Sequence, residues 1–70
     1  MKIVNQQGEM CEVFELEQKG CELYGQPKNI KNSQVLLGKY STLKRALDVM
    51  AEAYALNSKD KKLIYTMPNE

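Results

Sequence analysis

The chain has 70 residues, 10 lysines and arginines against 9 acidic residues, a formal net charge of +1 and no histidine. That length makes one domain spanning residues 1–70, and a domain of this size buries only about 60% of the surface its unfolded chain exposes. Without histidine or a CxxC pair the common zinc patterns are excluded, the usual general acid-base residue is missing, and no run approaches the ~18 apolar residues of a membrane span.

In chain order, Met1 to Gln6 reads as an opening strand ended by a Gln7-Gly8 turn. The next strand, around CEVFELEQ, changes phase in its middle: Cys11 and Val13 share one alternation and Phe14 and Leu16 the other. Such a change predicts either a β-bulge or a strand apolar on both sides at that point. Lys19-Gly20 is the expected hairpin turn, and Cys21, Leu23 and Tyr24 lead the returning strand. Gly25 to Asn29 is expected to break it, because proline donates nothing to a ladder and glycine and asparagine favour turns. Asn29 to Ser33 reads as loop, with Ile30 a candidate for the core.

Val35, Leu36 and Leu37 form the fourth strand, with Val35 and Leu37 on one face and Leu36 and Tyr40 on the other. Thr42 is a good N-cap. From there Leu43, Ala46, Leu47, Met50, Ala53 and Tyr54 recur at helical spacing, predicting a helix to Leu56 or Asn57 with that stripe facing the core. Asn57 to Asp60 supplies turn chemistry, and KLIYTMP alternates as a closing strand stopped by Pro68.

The expected fold is therefore α+β: a small antiparallel sheet of four to five strands with one helix packed on one face, in the order β-β-β-β-α-β. One helix covers one face only, so the other is expected to meet a second subunit, with a two-fold dimer as the default homo-oligomer. Cys11 and Cys21 read as small buried thiols, a bridge between neighbouring strands being the alternative. The amino terminus lacks the apolar core of a signal peptide, and the expected location is cytoplasmic.

MKIVNQ, LLGKYSTLKRALDVM and YTMP carry a resemblance to a group of short, mostly uncharacterised proteins of Firmicutes, their prophages and related phages. Those proteins open on M-[KR]-I-[IV]-x-Q, turn into a helix at [LI]-G-x-Y-x-T-x-x-x-A and close on Y-x-M-P. Here the middle element is Leu37, Gly38, Tyr40, Thr42 and Ala46, and the closing one Tyr65, Met67 and Pro68. What the resemblance implies is a setting in a mobile genetic element, not a biochemical activity.

Charge divides along the chain. Residues 1 to 30 set Lys2, Lys19 and Lys28 against Glu9, Glu12, Glu15, Glu17 and Glu22, whereas Lys31, Lys39, Lys44, Arg45, Lys59, Lys61 and Lys62 face only Asp48, Glu52 and Asp60. Solvation of a small surface, complementarity between subunits and an anion site all account for such a split. The anion reading places Lys39, Lys44 and Arg45 at the strand-to-helix corner beside free first-turn amides, with Tyr40 or Tyr24 to stack on a base and Lys31 or Lys62 in support. Against it, Tyr40 is equally suited to packing on the helix. Tyr54 and Tyr65 read as packing residues, and Met10, Met50 and Met67 as core or interface filling.

No nucleophile-base pair is evident, so the expectation is not an enzyme, with no cofactor and no metal. The favoured function is a small oligomeric binding protein of phage or prophage origin that acts by occupancy, sequestering an anionic nucleotide-like host defence signal or blocking a host protein. The alternatives are a nucleic-acid-binding accessory protein using the basic 31–62 segment, and a structural or regulatory subunit that meets only other proteins.

Overall fold

In the computed structural model, which describes residues 1–28 and 33–69, the elements are β1 (Lys2–Val4), β2 (Met10–Lys19), β3 (Glu22–Pro27), β4 (Val35–Lys39), α1 (Leu43–Lys59) and β5 (Ile64–Thr66). They form an α+β fold with a five-stranded sheet in the order β4-β3-β2-β1-β5. The expected loop at Asn29 to Asn32, Ile30 and Lys31 included, lies outside the described residues.

The first four strands run antiparallel, but β5 lies parallel to β1, with Ile3 opposite Tyr65. The sheet is therefore mixed, not antiparallel. β4 ends at one edge, and α1 carries the chain across to the opposite edge, where β5 enters in the direction of β1; side-chain alternation carries no information about direction.

The phase change in β2 is a bulge. Val13 pairs with Pro27 and Glu15 with Gln26, which leaves Phe14 as the extra residue, so both Val13 and Leu16 reach the core. A second irregularity lies between Leu23↔Gly38 and Tyr24↔Leu36, and Leu37 is the extra residue there. It turns Tyr40 onto the core side, at 6% exposure, where simple alternation had set it opposite Leu37.

β3 continues through Gly25 to Pro27 instead of breaking there. Gly25 is a strand residue because nothing larger fits: a Cβ would stand 2.7 Å from Val13 Cγ1 and 3.0 Å from Leu37 Cδ1. The two predicted turns do hold positive-φ glycines, Gly8 at 85° and Gly20 at 60°. Asn5 organises the first of them. Buried to 3% exposure, it accepts the N–H groups of Gln7 (3.0 Å) and Glu9 (2.8 Å) on Oδ1 and donates Nδ2 to Glu9 Oε1 at 3.2 Å.

Thr42 caps α1, its Oγ1 accepting Arg45 N–H at 3.1 Å, and the helix runs to Lys59, a little beyond the expected end. Its buried stripe is Ala46, Val49 and Ala53. The expected stripe was rotated from this: Leu43, Leu47 and Tyr54 are exposed, while Val49 takes the central place. Tyr54 instead reaches sideways to β2, where its hydroxyl accepts Leu16 N–H at 2.8 Å.

The core beneath the helix comprises Ile3, Val13, Leu16, Leu23, Leu37, Tyr40 and Met67 with the three helical residues. Both cysteines are free and half-buried, Cys11 opposite Ile3 on β2 and Cys21 at the β2–β3 turn, so the alternative of a bridge is not realised. Burial, and then Glu9, push the Cys11 thiol pKa up, away from reactive thiolate.

Candidate functional site

The segments MKIVNQ, LLGKYSTLKRALDVM and YTMP meet at one place. Gln6, just beyond β1, donates its main-chain N–H to Leu37 O at 3.0 Å. Its side chain then accepts Lys39 N–H on Oε1 at 2.8 Å and donates Nε2 to Lys39 O at 3.1 Å and Pro68 O at 2.9 Å. Tyr40 adds its hydroxyl to Pro68 O at 2.9 Å and approaches Met67 Sδ at 3.7 Å. Gly38 makes room for both partners, since a Cβ there would lie 2.9 Å from the Tyr40 hydroxyl and 3.2 Å from Gln6 Cδ. This cluster ties the outer edge of β4 to the ends of β1 and β5, and its polar atoms are spent on main chain. It is a closure of the sheet, and Tyr40 within it offers no open ring face for a base.

The three cations of the strand-to-helix corner engage three different carboxylates. Lys39 Nζ lies 3.5 Å from Glu22 Oε2 on β3, Lys44 Nζ 3.1 Å from Asp48 Oδ2 one turn along the helix, and Arg45 Nη1 3.9 Å from Glu52 Oε2. Lys39 follows its neighbour Glu22 on the open face of the sheet, while Lys44 and Arg45 follow helical partners, so the pairs do not converge on one point. The helix has no acidic residue in its first turn.

Tyr24 lies half-buried on the open face, its hydroxyl donating to Glu22 Oε1 at 2.7 Å and Lys19 Nζ lying 5.0 Å from its ring centroid. The hydrogen bond from Tyr24, and then Lys39, hold the Glu22 carboxyl below the usual range, while the same bond to Glu22 raises the Tyr24 phenol. One face of this ring is thus already occupied by a cation.

The sequence reading expected the uncovered face to meet a second subunit, but it did not name the apolar residues that gather there. The pairings Val4↔Met10 and Lys2↔Ile64 put Val4, Met10 and Ile64 together on the side away from Ile3 and the helix. Met10 is 54% and Ile64 47% exposed, and Phe14 at the bulge farther along β2 is 56% exposed. Around them the charges neutralise one another, in Lys28–Glu12 at 3.5 Å, Lys19–Glu17 at 3.8 Å and Lys39–Glu22. The phase change at Phe14 was the available signal, since a bulge residue on an otherwise charged strand face stays in solvent.

A separate open groove of about 470 Å³ runs along the other side of the helix, lined by Glu52, Ala55, Leu56, Lys59 and Tyr65. Tyr65 donates its hydroxyl to Glu52 Oε1 at 2.8 Å, and burial together with that carboxylate pushes the Tyr65 phenol well up. Among the described residues no group of three His, Cys, Asp or Glu side chains is placed to hold a metal, and no helix is long and apolar enough to cross a membrane. Comparison of the chain with protein-family models, with curated proteins and with solved structures returns no match.

Proposed function

We propose that the chain is a small, non-enzymatic, homo-oligomeric binding protein of phage or prophage setting that acts by occupancy, and that it blocks a host protein through the open face of its sheet. The observation that carries this reading is the exposed group Met10, Phe14 and Ile64 on the sheet face turned away from α1. Large apolar side chains in solvent, ringed by charges already paired with one another, suit a protein surface with an apolar centre. They suit a polyanion poorly, because Lys19, Lys28 and Lys39 on this face are each paired with a carboxylate and Lys2 lies opposite Glu12 in the ladder, which leaves little net positive field.

Sequestration of a nucleotide-like signal stands second. It rests on Lys39, Lys44 and Arg45, and each of these has a carboxylate partner that a phosphate must displace. Nucleic-acid binding through the basic 31–62 segment draws on the same side chains and on Lys59, Lys61 and Lys62 beyond them.

The test is a pull-down from cells that carry the gene, comparing the wild-type chain with Met10→Glu and Phe14→Glu by quantitative mass spectrometry. A partner retained by the wild type and lost from both variants, with their circular dichroism unchanged, is the expected result. Equal recovery by all three proteins excludes the open face. A parallel thermal-shift screen with nucleotides separates the second reading, because a ligand that binds only the folded chain raises its Tm.

A further inference from the structure

The edge of β5 that faces away from β1 is open. Met67 donates its main-chain N–H to Val4 O at 2.9 Å, which continues the ladder in which Tyr65 lies beside Ile3. Alternation along the strand then turns the amides and carbonyls of Ile64 and Thr66 to the outside. Among the described residues nothing bonds to them, since β5 is the last strand of the sheet. An unpaired edge of this kind is a template for another strand.

The groove beside this edge is self-complementary. Glu52 lies at one end and Lys59 at the other, about two helical turns apart, with Ala55 and Leu56 midway between them. Reversing the helix direction therefore sets Glu52 against Lys59 and Ala55 against Leu56. Lys59 has no ion-pair partner among the described residues, whereas Glu52 is held in place on its own chain by the Tyr65 hydroxyl at Oε1 and by Arg45 Nη1, 3.9 Å from Oε2.

From the open edge and the groove together we infer that the occupant is a second copy of this chain. Two β5 strands pair antiparallel about a two-fold axis between their Tyr65 residues, and Ile64 of each exchanges both main-chain bonds with Thr66 of the other. The helices lie side by side along the grooves, Glu52 of each facing Lys59 of the other, and the small Ala55 admits Leu56 of the second copy. A two-fold contact has to be self-complementary in this way, because the same patch serves both sides. Tyr65 falls in the non-hydrogen-bonded pair, where Cα atoms approach to about 4.5 Å. The sheets become continuous, with both helices on one side and both open faces on the other. The pairing uses an edge and a groove, so it holds or fails independently of what the open face binds.

The test is sedimentation velocity and native mass spectrometry of the full chain and its variants. The wild type is expected to be a dimer. Thr66→Pro removes an outward N–H while leaving the bonds to β1, and edge strands tolerate proline, so a folded monomer is expected. Lys59→Glu and Glu52→Lys each set like charges together twice per dimer and are expected to weaken it on the order of tenfold. Mixing the two charge variants restores opposite charges and is expected to give the heterodimer in preference to either homodimer. If Thr66→Pro does not fold, the charge pair decides alone, because Lys59 is exposed. A monomeric wild type overturns the inference, as does an oligomer indifferent to both charge variants with no heterodimer preference.

Discussion

Gln6 is the residue whose removal tests the closure of the sheet most directly. Gln6→Ala deletes the bond from Lys39 N–H and those to Lys39 O and Pro68 O, and leaves only the main-chain bond to Leu37. A typical intramolecular hydrogen bond contributes a net ~1 kcal/mol, and the pair to Lys39 is accessible to replacing water, so the expected loss is about 1.5–3 kcal/mol. In a domain of this size that lowers Tm by roughly 10–20 °C. Urea unfolding followed by circular dichroism measures the difference, with Gln7→Ala as the exposed neighbour expected to lie within about 0.5 kcal/mol of the wild type. Gln6→Glu sharpens the test, since a carboxylate cannot donate to the carbonyls of Lys39 and Pro68. The two carbonyls favour its protonated form, whose single O–H keeps only one of those bonds, so the variant retains part of the tie at low pH and loses it as the carboxyl ionises. A Gln6→Ala chain as stable as the wild type, or a Gln6→Glu chain indifferent to pH between about 4 and 7, would refute the account of Gln6 as the closing tie.

Two further outcomes follow from the packing and the electrostatics. Gly25→Ala forces a methyl against Val13 and Leu37 and is expected to cost about 1–3 kcal/mol in urea unfolding; adding Val13→Ala should recover part of that loss, and strict additivity would contradict the contact. Tyr65 has its phenol pKa raised by burial and by Glu52, so the stability it contributes is full below the unfolded value near 10 and is lost as pH rises through the higher folded value. Alkaline unfolding should therefore set in above about pH 10 in the wild type and be flatter in Tyr65→Phe, and identical alkaline limbs would exclude the effect.

Local chemistry made much of the fold readable from the chain. Thr42 as N-cap, the positive-φ turns at Gly8 and Gly20 and the bulge beside Val13 all follow from residue type and alternation over a few positions. Gly25 was misjudged because a glycine in a strand and a glycine in a turn look alike until Val13 and Leu37 are seen above it. The direction of β5 and the rotation of the helix stripe depend on contacts between distant segments, and so does the burial of Tyr40. The corner cations illustrate the same limit for the site: proximity in sequence put Lys39, Lys44 and Arg45 together, while their carboxylate partners drew them to separate neighbours. Nothing within the segment from Lys39 to Arg45 announces Glu22 or Glu52.

The two ends of the sheet differ in what they leave available to another chain. Gln6 occupies the outer side of β4 at Leu37 and Lys39, and the Tyr54 hydroxyl covers Leu16 where β2 extends past β1. Head-to-tail stacking of sheets needs two accepting edges per molecule, one to receive a strand and one to offer it, and here one of them is plugged. The β5 pairing proposed above is closed by two chains and offers no edge for a third. The glutamine that finishes the fold thereby also takes away one edge that stacking of this strand protein into fibres requires.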